Sequence, residues 1–285
     1  MRYLNGIIIA MEKEKVIHYT KFWKPNIKED MLFFKGHFNT FEFDKHAHEE
    51  LTITMVNSGK MRAFLDGFSH SLSESAILTI NPDSIHACRS EFEDGYSYTS
   101  LYFNEKHLKE LAKNEFGASD IYFKSSILED KQIYQKLFYL IKENEANNIS
   151  KLEFESGLIE SLKDIFKSTS NNIEEIPLSS HDTLIKKAKE YISDNYSLNI
   201  SLDDLSNTLD ISKYHFLRIF KENVHLSPHN YLMNRRLEKA KQFLRDGNSI
   251  IETAYNCGFN DQSHLSRRFK ASTGVTPGNY QKFFL

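Results

Sequence analysis

The feature that most constrains this chain is an internal repeat in its C-terminal third. Shifting that region against itself by 49 positions places His215 on His264, Arg218 on Arg267 and Phe220-Lys221 on Phe269-Lys270. The same shift matches Ser227-Pro228 with Thr276-Pro277 and Asn230-Tyr231 with Asn279-Tyr280. Two capping-box signatures, Ser201 with Asp204 and Ser249 with Glu252, align at 48, so the second copy carries one extra residue in its turn. The Ser-Pro and Thr-Pro pairs put a hydroxyl at the N-cap and a proline at the first helical position. Each copy therefore predicts a capped helix, a tight turn, a second helix, and a Pro-started helix behind it. Helix, short turn, helix is the unit whose second helix enters the major groove of DNA.

Side-chain spacing separates this reading from a plain helical bundle. In the first copy Phe216, Ile219 and Phe220 share one helical face, while Lys213, Tyr214, Leu217, Arg218 and Lys221 lie around the remainder. In the second, Leu265 and Phe269 form the apolar face and Gln262, Ser263, Ser266 and Arg267 project elsewhere, with His264 nearer the boundary. Arginine reads guanine bidentately and glutamine can pair with adenine, whereas Lys, Ser and Tyr more often hold phosphates. One such copy alone would equally suit an ordinary helical domain with a solvated arginine. Recurrence of the arginine and of the Ser/Thr-Pro boundary at one phase favours DNA.

Charge points the same way. From His181 onward, 15 basic residues stand against 11 acidic, a surplus of four; the rest of the chain has 21 against 28, a deficit of seven. A basic end behind an acidic body is expected when only one end meets a polyanion. The stretch Ser168–Ser180 is polar, holds Pro177 and lacks periodicity, which marks a linker. The division expected is 1–170, a linker at 171–181, and a DNA-binding domain at 182–285.

The C-terminal residues resemble the AraC/XylS family DNA-binding domain over roughly Thr183–Lys282. The specific segments are Arg236-Leu237-Glu238-Lys239-Ala240, Ala254–Phe269 (AYNCGFNDQSHLSRRF) and Gly274–Tyr280 (GVTPGNY). That resemblance implies DNA-facing positions at Tyr214, Leu217 and Arg218 in the first unit and at Gln262, Ser263, His264 and Arg267 in the second, with Lys213 beside them. Asn256-Cys257 departs from the small aliphatic residues more usual there. Leu217 is apolar at a position that often reads bases by hydrogen bonding, so contact with a thymine methyl is expected.

The N-terminal half reads differently. From about residue 31 to 103, short runs rich in Phe, Ile, Thr and Tyr alternate with turn signals at Asn57-Ser58-Gly59, Asp66-Gly67, Asn81–Ser84 and Asp94-Gly95. That pattern predicts an antiparallel sandwich or barrel. Helical spacing follows at Leu108/Leu111/Ala112, Ile133/Leu137/Leu140/Ile141 and Phe154/Leu158/Leu162/Ile165. The whole is thus α+β: an N-terminal antiparallel β-barrel with following helices, then an all-α domain of two helix-turn-helix units.

His46-Ala47-His48, with His86 after Asn81–Ser84, resembles a cupin-type effector domain. His46 and His48, two apart on a strand, would share a face that His86 could join. The glutamate expected after such a pair in metal cupins is missing: Thr52 and Ile53 stand there, and Glu49 and Glu50 come too early. No metal or cofactor is therefore assigned; the three histidines are read as orienting a small ligand, or alternatively as capping the barrel rim. Phe33, Phe34, Phe38, Phe41, Phe43, Phe64, Phe68, Met55 and Met61 read as packing. The later helices resemble the dimerisation element of such regulators, with Phe154–Ile165 the best stripe; burial against their own barrel is the other reading.

Together these features imply a sequence-specific transcription regulator rather than an enzyme. Its expected partners are double-stranded promoter DNA, an unknown small-molecule effector, a second copy of the chain and, for an activator, RNA polymerase. A constitutive dimeric regulator and a metal-dependent cupin enzyme with a DNA-binding tail are the alternatives. Only Cys88 and Cys257 occur, far apart, as suits a reducing cytoplasm. The apolar run Gly6–Met11 is too short for a signal or a membrane span, and Met11 could serve as the start.

Overall fold

The structure is a computed structural model, and it describes residues 19–25, 31–65, 67–104, 122–123, 126–169 and 180–285, with 109 and 113. The predicted helix at Leu108/Leu111/Ala112 and nearly all of the predicted linker at 171–181 lie outside the described residues. Among the described residues the chain forms eight strands followed by nine helices.

The strands are β1 (Tyr19–Trp23), β2 (Met31–Phe38), β3 (Leu51–Leu65), β4 (Phe68–Ser73), β5 (Ile77–Ile80), β6 (His86–Ser90), β7 (Tyr96–Phe103) and β8 (Ile127–Leu128). Every pairing is antiparallel, in the order β1-β2-β7-β3-β5-β8, with β4 and β6 also on β3. The 15-residue β3 closes the barrel by serving two sheets. Its first half pairs with β5 and β7, and its second half with β4 and β6. The register slips between Val56 and Ser58, a bulge that lets the strand bend. Gly59 follows at φ +73°, where an added Cβ would lie 2.2 Å from the Gly95 carbonyl oxygen. Only glycine fits that close approach. Strands β1 and β8 fall outside the 31–103 window that the turn signals delimit.

Helices α1 (Lys131–Glu145) and α2 (Lys151–Thr169) pack on the barrel's outer face. Phe154, Leu158, Leu162 and Ile165 of α2 are buried in one cluster with Phe33, Leu51 and Leu101. The stripe read from sequence as a dimerisation candidate is thus consumed within the chain, because the sheet's outer face is apolar and needs a cover. Phe33, Phe34, Phe38 and Phe43 are core, as expected, but Phe68 is 71% exposed at the start of β4.

The C-terminal helices are α3 (Ser180–Asp194), α4 (Leu202–Leu209), α5 (Lys213–Val224), α6 (Pro228–Arg245), α7 (Ile250–Asn256), α8 (Gln262–Thr273) and α9 (Pro277–Phe284). Both capping boxes form with their two reciprocal bonds, at Ser201/Asp204 and Ser249/Glu252. Ser227 and Thr276 accept from the backbone N–H groups of Asn230 and Asn279 behind their prolines. Ser212 and Asp261 cap the two second helices in the same manner. Phe216 and Phe220 occupy the core at the places taken by Leu265 and Phe269 in the other copy, all fully buried. The repeat in sequence is therefore a repeat of fold, α4-turn-α5 and α7-turn-α8, joined by α6.

Candidate nucleic-acid interface and interdomain cavity

Helices α5 and α8 carry the residues singled out for DNA. Tyr214 is 81% exposed, and Lys213, Arg218, Gln262, Ser263 and Arg267 are exposed as well. Lys213 Nζ lies 2.9 Å from Asp203 Oδ1 on α4, and Arg218 makes a loose 3.8 Å pair with Glu222 one turn on. His264 is half-buried, its ring edge-on to Phe259 at 5.4 Å. Leu217 differs from the rest. It is half-buried and lines a cleft with Leu202, Leu205, Leu232 and Met233.

The second site sits where the two halves meet. Helix α6, which links the helix-turn-helix units, also crosses the barrel. Arg235 reaches Glu49 at 2.7 Å and Asp83 at 3.4 Å; Arg245 reaches Glu50 at 3.4 Å. Arg268 of α8 approaches Asp44 at 3.8 Å, and the Asp44 N–H donates to the Ala271 carbonyl at 3.2 Å. The acidic body thus meets the basic end within one molecule. Ala47 and Ile85 of the barrel join the apolar core of the helical half.

A cavity of about 80 Å³ lies at this junction. Its barrel side includes His46, His48, His86, Thr52, Thr54 and Tyr102; its helical side includes Lys241, Arg245 and Tyr280. The three predicted histidines do come together, with ring centroids 4.2 Å (His46–His86), 4.7 Å (His48–His86) and 6.2 Å (His46–His48) apart. The route differs from the one expected. His46 and His48 stand on irregular chain rather than a strand, and a single antiparallel bridge between His46 and His86 brings the segments together. Among the described residues, no three His, Cys, Asp or Glu side chains are arranged to hold a metal ion.

Hydrogen bonding fixes the rings. Each Nδ1 faces a backbone carbonyl: Asp44 O at 2.7 Å for His46, Glu50 O at 2.7 Å for His48, and Ser84 O at 2.9 Å for His86. A carbonyl can only accept, so Nδ1 carries the proton and Nε2 keeps a lone pair. Burial disfavours each imidazolium; His48 adds repulsion at His46, and His46 and His48 add it at His86, whereas at His48 the Glu50 carboxylate opposes the fall and Lys241 adds to it. The pKa falls to about 3 for His46, to about 4 for His48, and well below the ordinary range for His86.

The facing charges are balanced. Lys241 Nζ is 2.6 Å from Glu238 Oε1, and Arg245 donates through Nε to the Tyr280 hydroxyl at 2.7 Å as well as pairing with Glu50. Burial lifts the Glu238 carboxyl to about 7 even with Lys241 beside it. Burial also opposes ionisation of Glu50, but Lys241, His48 and Arg245 outweigh it and hold its carboxyl below the ordinary value.

These shifts predict an acid-labile fold. The histidines bind protons in the unfolded chain below pH 6.5 but stay neutral in the folded one until far lower pH. Stability is therefore lost as pH falls through that window. Glu238 opposes this, since the folded state holds its proton up to about pH 7. Three groups against one leave about two protons taken up on unfolding, a slope on the order of 2–3 kcal/mol per pH unit between about pH 4.5 and 6.5. Denaturant unfolding at pH 6.5 and 5.0 measures it; a flat profile would exclude neutral buried histidines.

Lys241, Arg245, Glu50 and Tyr280 were not legible as site residues. Glu238, Lys241 and Arg245 recur at helical spacing on α6, a pattern that in sequence reads as an ordinary solvated stripe. Only the barrel packed against it turns the stripe into a cavity wall.

Comparison with known proteins matches this division of labour. An AraC-like ligand binding domain matches residues 30–162, and a helix-turn-helix domain matches 205–282. The chain is 27% identical over 245 residues to the HTH-type transcriptional regulator YbfI of Bacillus subtilis, covering 85% of this chain and 87% of that one. It is 35% identical over 103 residues to the transposon Tn10 TetD protein of Escherichia coli, covering 36% of this chain and 75% of that one. A crystal structure of wild-type ToxT from Vibrio cholerae with an unsaturated fatty acid bound superposes with a TM-score of 0.54 at 15% identity, over 91% of this chain and 98% of that one. That likeness concerns the fold. No helix among the described residues is long and apolar enough to cross a membrane. With a ligand-binding barrel before a doubled helix-turn-helix, the chain belongs to the AraC family of DNA-binding transcription regulators.

Proposed function

We propose that this regulator is switched by a small molecule held in the cavity between barrel and α6, and that it acts without catalysis of its own. The observation that carries this reading is the shared lining: His46, His48 and His86 from the barrel face Lys241 and Arg245 from the helix that joins the two DNA-reading units. An occupant touching both halves binds one relative arrangement better than others, and so couples to DNA occupancy. Lys213, Tyr214, Leu217, Arg218, Gln262, Ser263, His264 and Arg267 are the proposed DNA contacts. The proposed domains are 1–170 and 182–285, joined by 171–181.

Coupling can be tested without knowing the ligand. Glu50→Gln removes the carboxylate facing Arg245 and lies on the barrel, outside the proposed DNA contacts. Operator DNA selected from a random pool by the full chain should bind this variant with affinity changed about fivefold or more, the lower range of measured couplings. Unchanged affinity would sink the coupling. Wild-type affinity should also drop about 10³–10⁵-fold between 50 and 200 mM salt if roughly 6–10 phosphates are neutralised.

The regulator works as a homodimer in the cytoplasm under this proposal. With the α2 stripe buried, the outer face of α1 is the available surface: Phe138 stacks on Tyr134, and Tyr139 is 58% exposed. Sedimentation of wild type and Tyr139→Glu should show a dimer and a monomer respectively; identical sedimentation would refute that face.

A further inference from the structure

The geometry points to a further role for the barrel: it braces both DNA-reading helices from behind, with His225 and Asp44 as positioning residues, and so fixes which spacing of operator elements the chain accepts. This rests on the reading of α5 and α8 as the DNA-facing helices and concerns what sets the distance between them.

The brace falls on equivalent places in the two copies. His225 ends α5 and Gly274 ends α8, 49 positions apart, the step of the repeat. Both are C-caps in the left-handed conformation, at φ +57° and +78°. Both meet the barrel. A Cβ added at Gly67, between β3 and β4, would lie 2.8 Å from His225 Cε1 and 3.1 Å from its Nε2, so the imidazole rests against that turn. A Cβ added at Gly274 would lie 3.4 Å from ring carbons of Phe38 and Phe43. The last turn of α8 is held by polar contacts too. Arg268 faces Asp44 at 3.8 Å, and the Asp44 N–H donates at 3.2 Å to the Ala271 carbonyl, one of those that a helix end leaves without an internal donor.

Local chemistry does not ask for histidine at 225. Glycine is the usual residue in a left-handed C-cap, as at Gly274, because a Cβ is disfavoured there. At 225 an imidazole takes that place and reaches the barrel. The readers stay open meanwhile. Bases are met by residues near the N-terminus of a recognition helix. Tyr214, Arg218, Gln262 and Arg267 lie in the first two turns of their helices and are exposed, while the barrel holds the opposite ends.

Leverage gives those ends their weight. Helices α5 and α8 have 12 residues each, about 18 Å at 1.5 Å per residue. A tilt of about 10° at the C-cap moves the far end by roughly 3 Å, close to the ~3.4 Å between successive base pairs. Helix α6 joins the two units through turns at His225 and Gly247, the places where such a tilt is absorbed. Anchoring both C-caps to one barrel removes it.

A spacing series tests this. The operator selected by the full wild-type chain is remade with a base pair inserted or deleted between its two elements, and binding is read by fluorescence anisotropy. Wild type should lose about tenfold or more at either altered spacing. His225→Gly removes the ring but suits the left-handed cap, and should melt no lower than wild type. Asp44→Lys sets a cation against Arg268, and carries the test on its own if His225→Gly melts early. In each variant the spacing penalty should fall to about threefold or less, with the native spacing bound within about threefold of wild type. Because the penalty is a ratio within one protein, a change in general DNA affinity cancels from it. Three results would overturn the inference: a wild type indifferent to spacing, an unaltered penalty in both variants, or a selected operator with a single element. The reading of α5 and α8 as DNA-facing fails separately, if Arg218→Ala and Arg267→Ala bind as wild type does.

Discussion

Replacing Arg218 and Arg267 together by alanine is expected to weaken operator binding by roughly 2–6 kcal/mol, about 1–3 for each guanidinium if both read a base pair bidentately. The two sit at one phase of the repeat, on α5 and α8, and both are exposed. Arg218 has only a 3.8 Å surface pair with Glu222 to lose, which contributes little to the fold. Surface changes of this kind alter stability by about 0.5 kcal/mol or less, so thermal unfolding should match wild type. The arginines belong to separate units, and their single effects should add. Fluorescence anisotropy on the selected operator and on unrelated DNA distinguishes loss of reading from loss of charge. Specific binding should fall far more than non-specific binding. Wild-type affinity in the double variant would mean that other residues read the bases.

Arg236→Ala should destabilise the helical half by roughly 3–6 kcal/mol, two charge-assisted bonds at about 1.5–3 each. Arg236 is 7% exposed, and its guanidinium donates to the carbonyls of Tyr196 at 2.8 Å and Leu198 at 2.9 Å. These carbonyls belong to the loop between α3 and α4, which ends at the Ser201 cap. Removing the guanidinium takes away the charged donor to the Tyr196 carbonyl, leaves the Leu198 carbonyl only its 3.1 Å bond from the Ile200 N–H, and opens a gap beside Gly258, whose added Cβ would lie 3.0 Å from the guanidinium. Arg236→Lys should rescue little, since one ammonium cannot reproduce the fork. Chemical unfolding of both variants measures this. A loss below about 1 kcal/mol would show the loop to be held by other contacts.

Arg236 shows how sequence and structure divided the work. It stands in a segment that resembles the AraC/XylS family, beside Arg235, Lys239 and Lys241, within the basic C-terminal third of the chain. In the folded chain these four cations do different things. Arg236 caps a loop, Arg235 clamps Glu49 and Asp83 of the barrel, Lys241 enters the cavity wall beside Glu238, and Lys239 bonds Gln242 on its own helix. Their spacing within one helix carries no information about which element will pack on which face.

The α2 stripe makes the same point for apolar residues. Phe154, Leu158, Leu162 and Ile165 had to be buried, and the 3.6-residue period says so. Whether the cover is a second subunit or the chain's own sheet depends on the apolar outer face of β2, β3 and β7, which alternation alone does not reveal.

What the sequence determined by itself was local and periodic: the two helix-turn-helix units, their caps, and the strand-rich stretch from about 31 to 103. Each follows from interactions between residues near in sequence or from a pattern repeated at a fixed step. Tertiary structure decided what lies across the domain junction. The basic C-terminal end, which carries the 49-residue repeat, places several of its cations on Glu49, Glu50, Asp83 and Asp44 of the barrel. Complementary charge records only that partners exist. Which of them meet, and around what cavity, is set by the packing of α6 over the mouth of the barrel.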